Sequence, residues 1–186
     1  MPERAWFGRE ADVVAPDLLN KVLRVETVDG VASGRIIETE AYLPDDPASH
    51  TFNGPTDRNR VMFGPAGHLY VYLSYGIHCC ANVVTGAQGS GQAVLIRAVT
   101  PVDGIELLRA RRGRPDRELS NGPGKLCAAL GIELDHDGID LLGDGRVSID
   151  DDGTDPPTNP LVGPRIGISK AVDAPLRFRV PPPLGR

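Results

Sequence analysis

The 186-residue chain lacks a long apolar run, and its three cysteines show no Cys-x-x-Cys spacing. No segment approaches the roughly 20 apolar residues of a membrane-spanning helix, and the N-terminus, beginning Met1–Arg4, lacks the apolar run of a signal peptide. An odd number of cysteines argues against a disulfide framework and favours a reducing compartment. We therefore expect a cytoplasmic protein without a membrane partner, in which all three cysteines are small buried apolar residues.

A net positive charge is also absent, since the formal net charge is −5 and the isoelectric point is near 5.3. This balance is unusual for a protein that binds nucleic acid. The acidity is concentrated, however: residues 131–160 include nine acidic side chains and one basic side chain, so the rest of the chain is net positive. We interpret this acidic segment as a solvated loop or edge. A basic face carrying Arg58, Arg60, Arg97 and the Arg109–Arg117 cluster is compatible with it.

Length and composition predict the fold class. A chain of this length is expected to form one domain, residues 1–186, and its 22 glycines and 17 prolines predict short elements with many loops. Patterning predicts helices at 11–20, 102–112 and 123–130, strands at 22–28, 31–42, 68–74, 77–84, 93–99, 147–149, 165–169 and 176–180, and a long functional loop at 43–67. Strands dominate the middle of the chain and the helices lie outside it. We therefore predict an α+β fold in which short helices flank a curved, mostly antiparallel sheet.

Aromatic residues are scarce, at 5% of the chain, but they are not spread evenly. The segment from Gly34 to Asn82 holds all four tyrosines, three of the four histidines and two of the three cysteines. About a quarter of the chain thus contains most of its stacking and reactive side chains. We expect a functional site in this segment.

The first part of this segment, Arg35–Tyr42, has the β-branched residues of a strand. Side chains alternate along a strand, so Glu38, Glu40 and Tyr42 are predicted to share one face, with the two carboxylates roughly 6.5–7 Å apart. A pair of catalytic carboxylates and a solvated edge strand both fit this pattern. The residues themselves do not distinguish the two glutamates.

The second part of the segment predicts a hairpin. Two alternating runs, 68–74 and 77–84, are joined by Tyr75 and Gly76, and glycine adopts the left-handed conformation that a tight turn needs. Tyr75 is therefore expected at the tip, exposed and available for stacking. Tyr70 and Tyr72 share one face of the first strand, where the alternative to a site is ordinary packing in a core.

These motifs, with others in the same order along nearly the whole chain, resemble the alkyladenine (3-methyladenine) DNA glycosylase family, and the chain is identified as a bacterial member. The matching segments are Glu38–Tyr42, His50, Arg58-Asn59, Met62-Phe63, Pro65–Gly76, Asn82, Val94–Ala98, Asn121–Cys127, Arg165–Ile168 and Pro175–Phe178. One departure is the absence of a glycine that commonly precedes Pro44, which shortens the loop before His50.

The resemblance implies a DNA repair enzyme that binds damaged double-stranded DNA as a monomer near the nucleoid, with its hairpin protruding toward the DNA. Such an enzyme flips alkylated or deaminated purines out of the duplex and hydrolyses the N-glycosidic bond, without a metal or cofactor. By the resemblance, Glu40 activates the water, and Arg97 and the main-chain carbonyl of Ile166 help to hold it. The base pocket is formed by Tyr42, Ala48, His50, Tyr72 and Asn82. Tyr75 enters the minor groove, and the DNA backbone is contacted by Arg58, Asn59 and Lys125.

Three alternative functions would require different residues. A non-catalytic damage-binding module would not need Glu40 and Arg97. A zinc hydrolase would use the histidines and cysteines of the central segment, but neither a His-Glu-x-x-His nor a deaminase-like spacing is present. A lyase-type glycosylase needs an amine nucleophile, and the only lysines, Lys21, Lys125 and Lys170, lie outside the central segment, which favours hydrolysis by water.

Overall fold

A computed structural model describes residues 2–143 and 145–182, so Met1, Asp144 and the last four residues of the predicted domain lie outside the described residues. Within these ranges the strands are β1 (Val22–Thr27), β2 (Gly30–Tyr42), β3 (Leu69–Ser74), β4 (His78–Thr85), β5 (Gln92–Asp103), β6 (Val147–Asp150), β7 (Leu161–Gly163) and β8 (Arg177–Arg179). The α-helices are α1 (Arg4–Phe7), α2 (Ala11–Asp17), α3 (Ile105–Arg112) and α4 (Pro123–Leu130), with 3₁₀ turns at Arg60–Phe63, Asp116–Glu118 and Leu134–His136.

All strands belong to one curled antiparallel sheet with the order β3-β4-β5-β2-β1-β6, and β8 joins β2 and pairs with β7. The α+β class and the curved antiparallel sheet are as predicted. Helix α2 packs on β2, and α4 packs on β4 and β5. The core between them contains fully buried side chains such as Leu18, Ile36, Ile96 and Leu126.

Strand β2 is central because it pairs with β1, β5 and β8. Its register against β5 shifts between Ile36 and Glu38 and again between Glu38 and Thr39. Bulges of this kind bend a strand and increase its twist. These two irregularities flank Glu38, and beyond them Glu40 and Tyr42 pair regularly with Leu95 and Ala93 of β5.

The predicted helix ends agree best with the structure where a proline or glycine determines where the helix begins or ends. Helix α4 has the predicted bounds, with Pro123 in its first turn and Gly131 ending it in the left-handed conformation (φ +80°). Helix α3 begins at Ile105 rather than Val102, because β5 continues to Asp103 before Gly104 breaks it at φ +71°. Helix α2 is three residues shorter than predicted.

The strand predicted at 165–169 is wrong, and β7 forms earlier in the chain instead. The backbone and side chains of this segment make other contacts, which are incompatible with regular strand pairing. The amide of Ile166 donates to the carboxylate of Glu40, the Arg165 side chain binds Asp46, and Gly167 has φ +79°.

Among the described residues, no helix is both long and apolar enough to cross a membrane.

We predict that Gly34→Ala destabilises the protein, because β2 and β5 approach too closely there for a side chain. A Cβ at position 34 would lie 2.5 Å from Cγ2 and 2.8 Å from Cβ of Val99. Urea unfolding should show a loss of about 1–3 kcal/mol, as overpacking typically costs. The matched control is Gly163→Ala in β7, where the nearest atom would be Nη2 of Arg177 at 3.9 Å. Equal stabilities for the two variants would contradict this prediction.

Candidate active site

A cavity of about 570 Å³ opens between the β3–β4 hairpin, the end of β2, the loop 43–67 and the segment 166–170. Its lining includes most of the predicted site residues: Tyr42, Ala48, His50, Arg58, Tyr72, Tyr75, Asn82, Arg97 and Ile166. The structure therefore brings together side chains from opposite ends of the chain. Glu40, Asn59 and Lys125 are not part of the lining.

Glu40 lies directly beneath the cavity wall and is fully buried. Its Oε1 accepts a hydrogen bond from the amide of Ile166 at 2.8 Å. Its Oε2 accepts from Tyr42 Oη at 3.0 Å and lies 3.2 Å from Nη1 of Arg97. All three partners line the cavity, so the carboxylate is separated from it by the groups that it binds. The contact of Ile166 to Glu40 is made by the main-chain N–H, whereas the sequence comparison implicated its carbonyl in holding water.

Glu38 has different neighbours. Its Oε1 accepts from Nε of Arg97 at 3.1 Å and from Nη1 of Arg177 at 3.1 Å. Because Arg97 contacts both glutamates, they lie on the same side of the sheet, as the alternation predicts, despite the bulges. The structure thus separates two carboxylates that the sequence pattern left equivalent: Glu40 lies behind the cavity wall, and Glu38 holds Arg97 from the side of β8.

One wall of the cavity is an aromatic cluster. The rings of His50 and Tyr72 lie 4.5 Å apart at 76°, and those of Tyr70 and Tyr72 are stacked at 5.6 Å and 27°. Nδ1 of His50 lies 3.0 Å from Oη of Tyr70. Tyr70 was not among the predicted pocket residues, although its position on the same strand face as Tyr72 was a usable signal.

Burial favours the neutral forms of the titratable side chains in and beside the aromatic cluster. Burial raises the pKa of Tyr42, and the Glu40 carboxylate raises it further. Burial also raises the pKa of Tyr70 to about 12 and raises that of Tyr72. Burial, followed by the charge of Arg58, lowers the pKa of His50, which favours the neutral imidazole. Neutral aromatic faces suit a flat cationic or electron-poor ring, because the ring quadrupole attracts positive charge.

Asn82 is held by its own strand pair. Its Nδ2 donates to the carbonyl of Tyr70 at 3.1 Å and to that of Cys80 at 3.5 Å. Both bonds are donated by Nδ2, so they restrain the side chain without using Oδ1. Asn82 therefore presents a fixed polar group to the cavity.

Two residues predicted at the DNA backbone differ sharply in exposure. Asn59 is only 2% exposed, and its Nδ2 donates to the carbonyls of His50 at 2.8 Å and Gly54 at 3.1 Å. It holds the loop that carries His50, so its side chain is not placed for a phosphate. Lys125 is exposed, with Nζ 2.9 Å from Oδ1 of Asn121.

Arg58, the third predicted backbone contact, is exposed at the cavity mouth, with its guanidinium 5.5 Å from the centre of the Tyr72 ring. Tyr75 is 90% exposed at the tip of the hairpin, as predicted. Tyr75 and Gly76 have φ of +52° and +74°, which is uncommon for a tyrosine. The turn itself therefore holds the ring away from the protein.

The acidic segment is more than a solvated edge. Asp140 pairs with Arg4 at 2.7 Å, Asp151 with Lys21 at 2.8 Å and Asp152 with Arg35 at 2.7 Å, so this segment fastens distant parts of the fold. The predicted basic face is also reduced. Arg97 belongs to the buried site, and Arg109 is paired with Glu106 and Asp116.

The zinc alternative requires ligands from the histidines and cysteines of the central segment. Cys80 and Cys127 are buried, whereas Cys79 is only half-buried, and all three thiols are free. In residues 2–143 and 145–182, no three His, Cys, Asp or Glu side chains are grouped so as to hold a metal ion.

Comparison with known proteins shows the family to which the chain belongs. A family model described as "Methylpurine-DNA glycosylase (MPG)" matches residues 5–182. The chain belongs to this family. The protein is accordingly a DNA glycosylase, a hydrolase of DNA repair, and the family implies that it binds damaged DNA.

Relatives from different organisms are similar over nearly the full length. A protein of Methanoculleus marisnigri is 51% identical over 178 residues, covering 94% of this chain and 92% of its own. One of Burkholderia lata is 51% identical over 182 residues, covering 96% and 86%. One of Carboxydothermus hydrogenoformans is 47% identical over 176 residues, covering 94% and 92%. Each has the name "Putative 3-methyladenine DNA glycosylase".

We predict that His50 makes stability depend on pH below its usual pKa of 6.5. Folding lowers this pKa, so the unfolded chain binds the proton more readily than the folded chain. The stability that neutral His50 contributes is complete above about pH 6.5 and is lost as the pH falls toward the folded-state pKa.

The measurement is an NMR titration of the His50 ring, with urea unfolding over the same pH range. His50→Gln is the control, and it should lack this part of the pH dependence. A titration midpoint at or above 6.5 for His50 in the folded protein would contradict the prediction.

Proposed function

We propose that the protein is a monofunctional DNA glycosylase that flips alkylated or deaminated purines out of duplex DNA, hydrolyses the N-glycosidic bond with a water activated by Glu40, and leaves an abasic site for base excision repair. One observation carries the proposal most directly. The buried carboxylate of Glu40 is bonded to Tyr42, Arg97 and Ile166, and all three residues line the cavity that contains the aromatic cluster.

The location of the cavity supports base flipping. A base inside a duplex is out of reach of any side chain, so it must be turned out into a pocket. The cavity of about 570 Å³ is large enough for a purine with its sugar, and Tyr75 at its mouth is 90% exposed. An aromatic ring in that position can enter the minor groove and fill the gap that the flipped nucleotide leaves.

The chemistry needs a base for the water and stabilisation of the positive charge that develops on the sugar. As the oxygen of water bonds to C1′, its proton passes to the Glu40 carboxylate. The C1′–N bond breaks, and its electron pair leaves with the purine. The negative charge of Glu40 also stabilises the oxocarbenium-like transition state, as carboxylates do in glycoside hydrolysis. Arg97 and Ile166 orient the carboxylate and the water.

The preference for damaged purines over normal bases has two sources: the aromatic side chains of the pocket and the chemistry of the lesion itself. Tyr42, His50 and Tyr72 offer neutral aromatic faces, on which a cationic alkylated purine stacks better than a normal base. An alkylated purine is also a better leaving group. Asn82 is restrained by two bonds to strand carbonyls, so it cannot move aside for the exocyclic amine of guanine. Ala48 contributes to the same pocket wall.

Contacts with the DNA backbone are assigned to Arg58, an exposed cation at the cavity mouth, and to Lys125, an exposed cation in the first turn of α4. The cavity is complete within one chain, which supports action as a monomer. Three free thiols favour a reducing compartment, so we place the protein in the cytoplasm with the nucleoid.

Lys170 bears on whether the enzyme also cuts the strand. In the sequence it lies far from the central segment, but in the fold it lines the cavity. Distance along the chain therefore does not exclude an amine nucleophile. The proposal of hydrolysis without strand cleavage rests instead on the assignment of Glu40 as the base that activates water.

We predict that Glu40→Gln loses nearly all excision and still binds lesion-bearing duplex, because the amide cannot take a proton from water. The single-turnover excision rate should fall by roughly 10²–10⁴-fold, the usual size of a general-base contribution. Glu38→Gln is the matched control and should lose much less, since Glu38 contacts Arg97 and Arg177 and is not the base for water. If Glu40→Gln stayed active and Glu38→Gln were inactive, the catalytic base would be Glu38, and the assignment to Glu40 would be wrong.

We predict that Tyr75→Ser weakens lesion-DNA binding and multiple-turnover excision together, because it removes a stacking contact worth about 1–3 kcal/mol. The melting temperature should change little, since the ring makes few contacts in the free protein. Val28→Ser, which removes a fully exposed apolar side chain at the β1–β2 turn, is the matched control and should leave DNA binding unchanged. A large drop in melting temperature with normal lesion affinity would return Tyr75 to a packing role.

A further inference from the structure

A buried ion pair lies behind the cavity wall. The side chain of Arg165 is fully buried and that of Asp46 is 4% exposed. Nη2 of Arg165 donates to Oδ1 of Asp46 at 2.9 Å, and Nη1 donates to the other carboxylate oxygen. Neither residue lines the cavity, but Pro47 and Ile166, their neighbours in the chain, both do.

The same guanidinium holds the part of β2 that carries the site. Nη1 of Arg165 donates to the carbonyl of Ala41 at 3.0 Å, and this carbonyl lies between Glu40 and Tyr42 in the chain. The guanidinium also lies 4.6 Å from the centre of the Tyr42 ring. The next residue, Ile166, donates its amide to Glu40. One side chain thus links the loop that leads to His50, the backbone of β2 and the amide that binds the carboxylate.

Stability alone is a weak explanation for this pair. Two charges lose their hydration on burial, and a well-packed apolar pair of similar volume often serves a fold equally well. In addition, Nε of Arg165 is buried without a hydrogen-bond partner among the described residues, which is unfavourable for folding. What a guanidinium offers that an apolar side chain does not is a planar fork, which holds a carboxylate and a carbonyl at fixed angles.

We propose that Asp46 and Arg165 form a positioning pair for the glycosylase reaction, which holds Glu40 and Tyr42 in their reactive arrangement from behind the cavity wall. The pair acts through Ala41, Tyr42 and Ile166 and touches neither the base nor the water. This inference rests on the proposed function, because the arrangement matters only if Glu40 acts on water.

The test uses a double variant, Asp46→Leu with Arg165→Met, which removes both charges together and avoids leaving one buried charge unpaired. The matched control is Lys21→Met with Asp151→Leu, which removes another ion pair (2.8 Å in the protein) whose residues do not line the cavity. Arg165→Lys is a third variant, which keeps the charge but lacks the fork.

Three quantities are measured on each variant: the melting temperature, the single-turnover excision rate as a function of enzyme concentration, and hydrogen exchange of the Ile166 amide. For the Asp46–Arg165 double variant we expect the maximal rate to fall roughly tenfold to a hundredfold, since small displacements of reacting groups cost this much, with little change in half-saturation. The Ile166 amide should exchange faster. The Lys21–Asp151 variant should keep the rate and the exchange of the wild type.

Arg165→Lys covers the case in which the double variant does not fold, and it should lose rate with little loss of melting temperature. A wild-type rate and wild-type Ile166 exchange in either Arg165 variant would overturn the positioning role. So would a loss of rate that only follows the loss of folded protein. If the wild type excises no purine while Ile166 exchange still rises in the variants, the proposed function fails and the structural role of the pair stands.

Discussion

The site depends on keeping one carboxylate charged, buried and fixed. An ionised carboxylate taken out of water is costly unless donors replace its hydration, and Glu40 has donors on both oxygens. Each donor comes from a different part of the chain: Tyr42 from the same strand, Arg97 from β5, and the Ile166 amide from the segment before β8. The folding of three regions therefore converges on a group that none of them could stabilise alone.

This requirement explains irregular features of the sheet. The irregularities in β2 flank Glu38, next to the strand end that carries Glu40 and Tyr42. The segment after β7 leaves the ladder so that its amide and the Arg165 side chain can reach β2. The buried side chain of Asn59 donates a hydrogen bond to the carbonyl of His50, which holds the loop 43–67 beside the aromatic cluster. Strand pairing is thus irregular near the site, where backbone and side-chain donors bind Glu40 and the neighbouring carbonyl groups instead.

Local patterns predicted much of this correctly. Period-two alternation placed Glu38, Glu40 and Tyr42 on one side, and Tyr75-Gly76 predicted an exposed turn, which the structure confirms. Pro123 and Gly131 marked both ends of α4. In each case a residue's own conformational preference decides the outcome, so a single sequence contains the information.

Long-range contacts were not predictable in the same way. Arg165 and Asp46 are separated by 119 residues, and no local pattern indicates that they meet. Lys170 also lines the cavity, although it lies far along the chain from the central segment. Asn59 is buried although it belongs to a polar loop. The choice between Glu38 and Glu40 also depends on partners from β5, β8 and the segment between β7 and β8, which alternation within β2 cannot show.

The proposed reaction is hydrolysis of a damaged purine from its sugar, without strand cleavage. The most direct test incubates the protein, with EDTA present, with duplexes that each contain one defined lesion: 3-methyladenine, 7-methylguanine, hypoxanthine or ethenoadenine. Each reaction is divided, and one half is treated with alkali to break the strand at abasic sites. Strand breaks at one or more of these lesions that appear only after alkali are the predicted result. Intact strands after alkali for every lesion, or breaks without alkali, would contradict it.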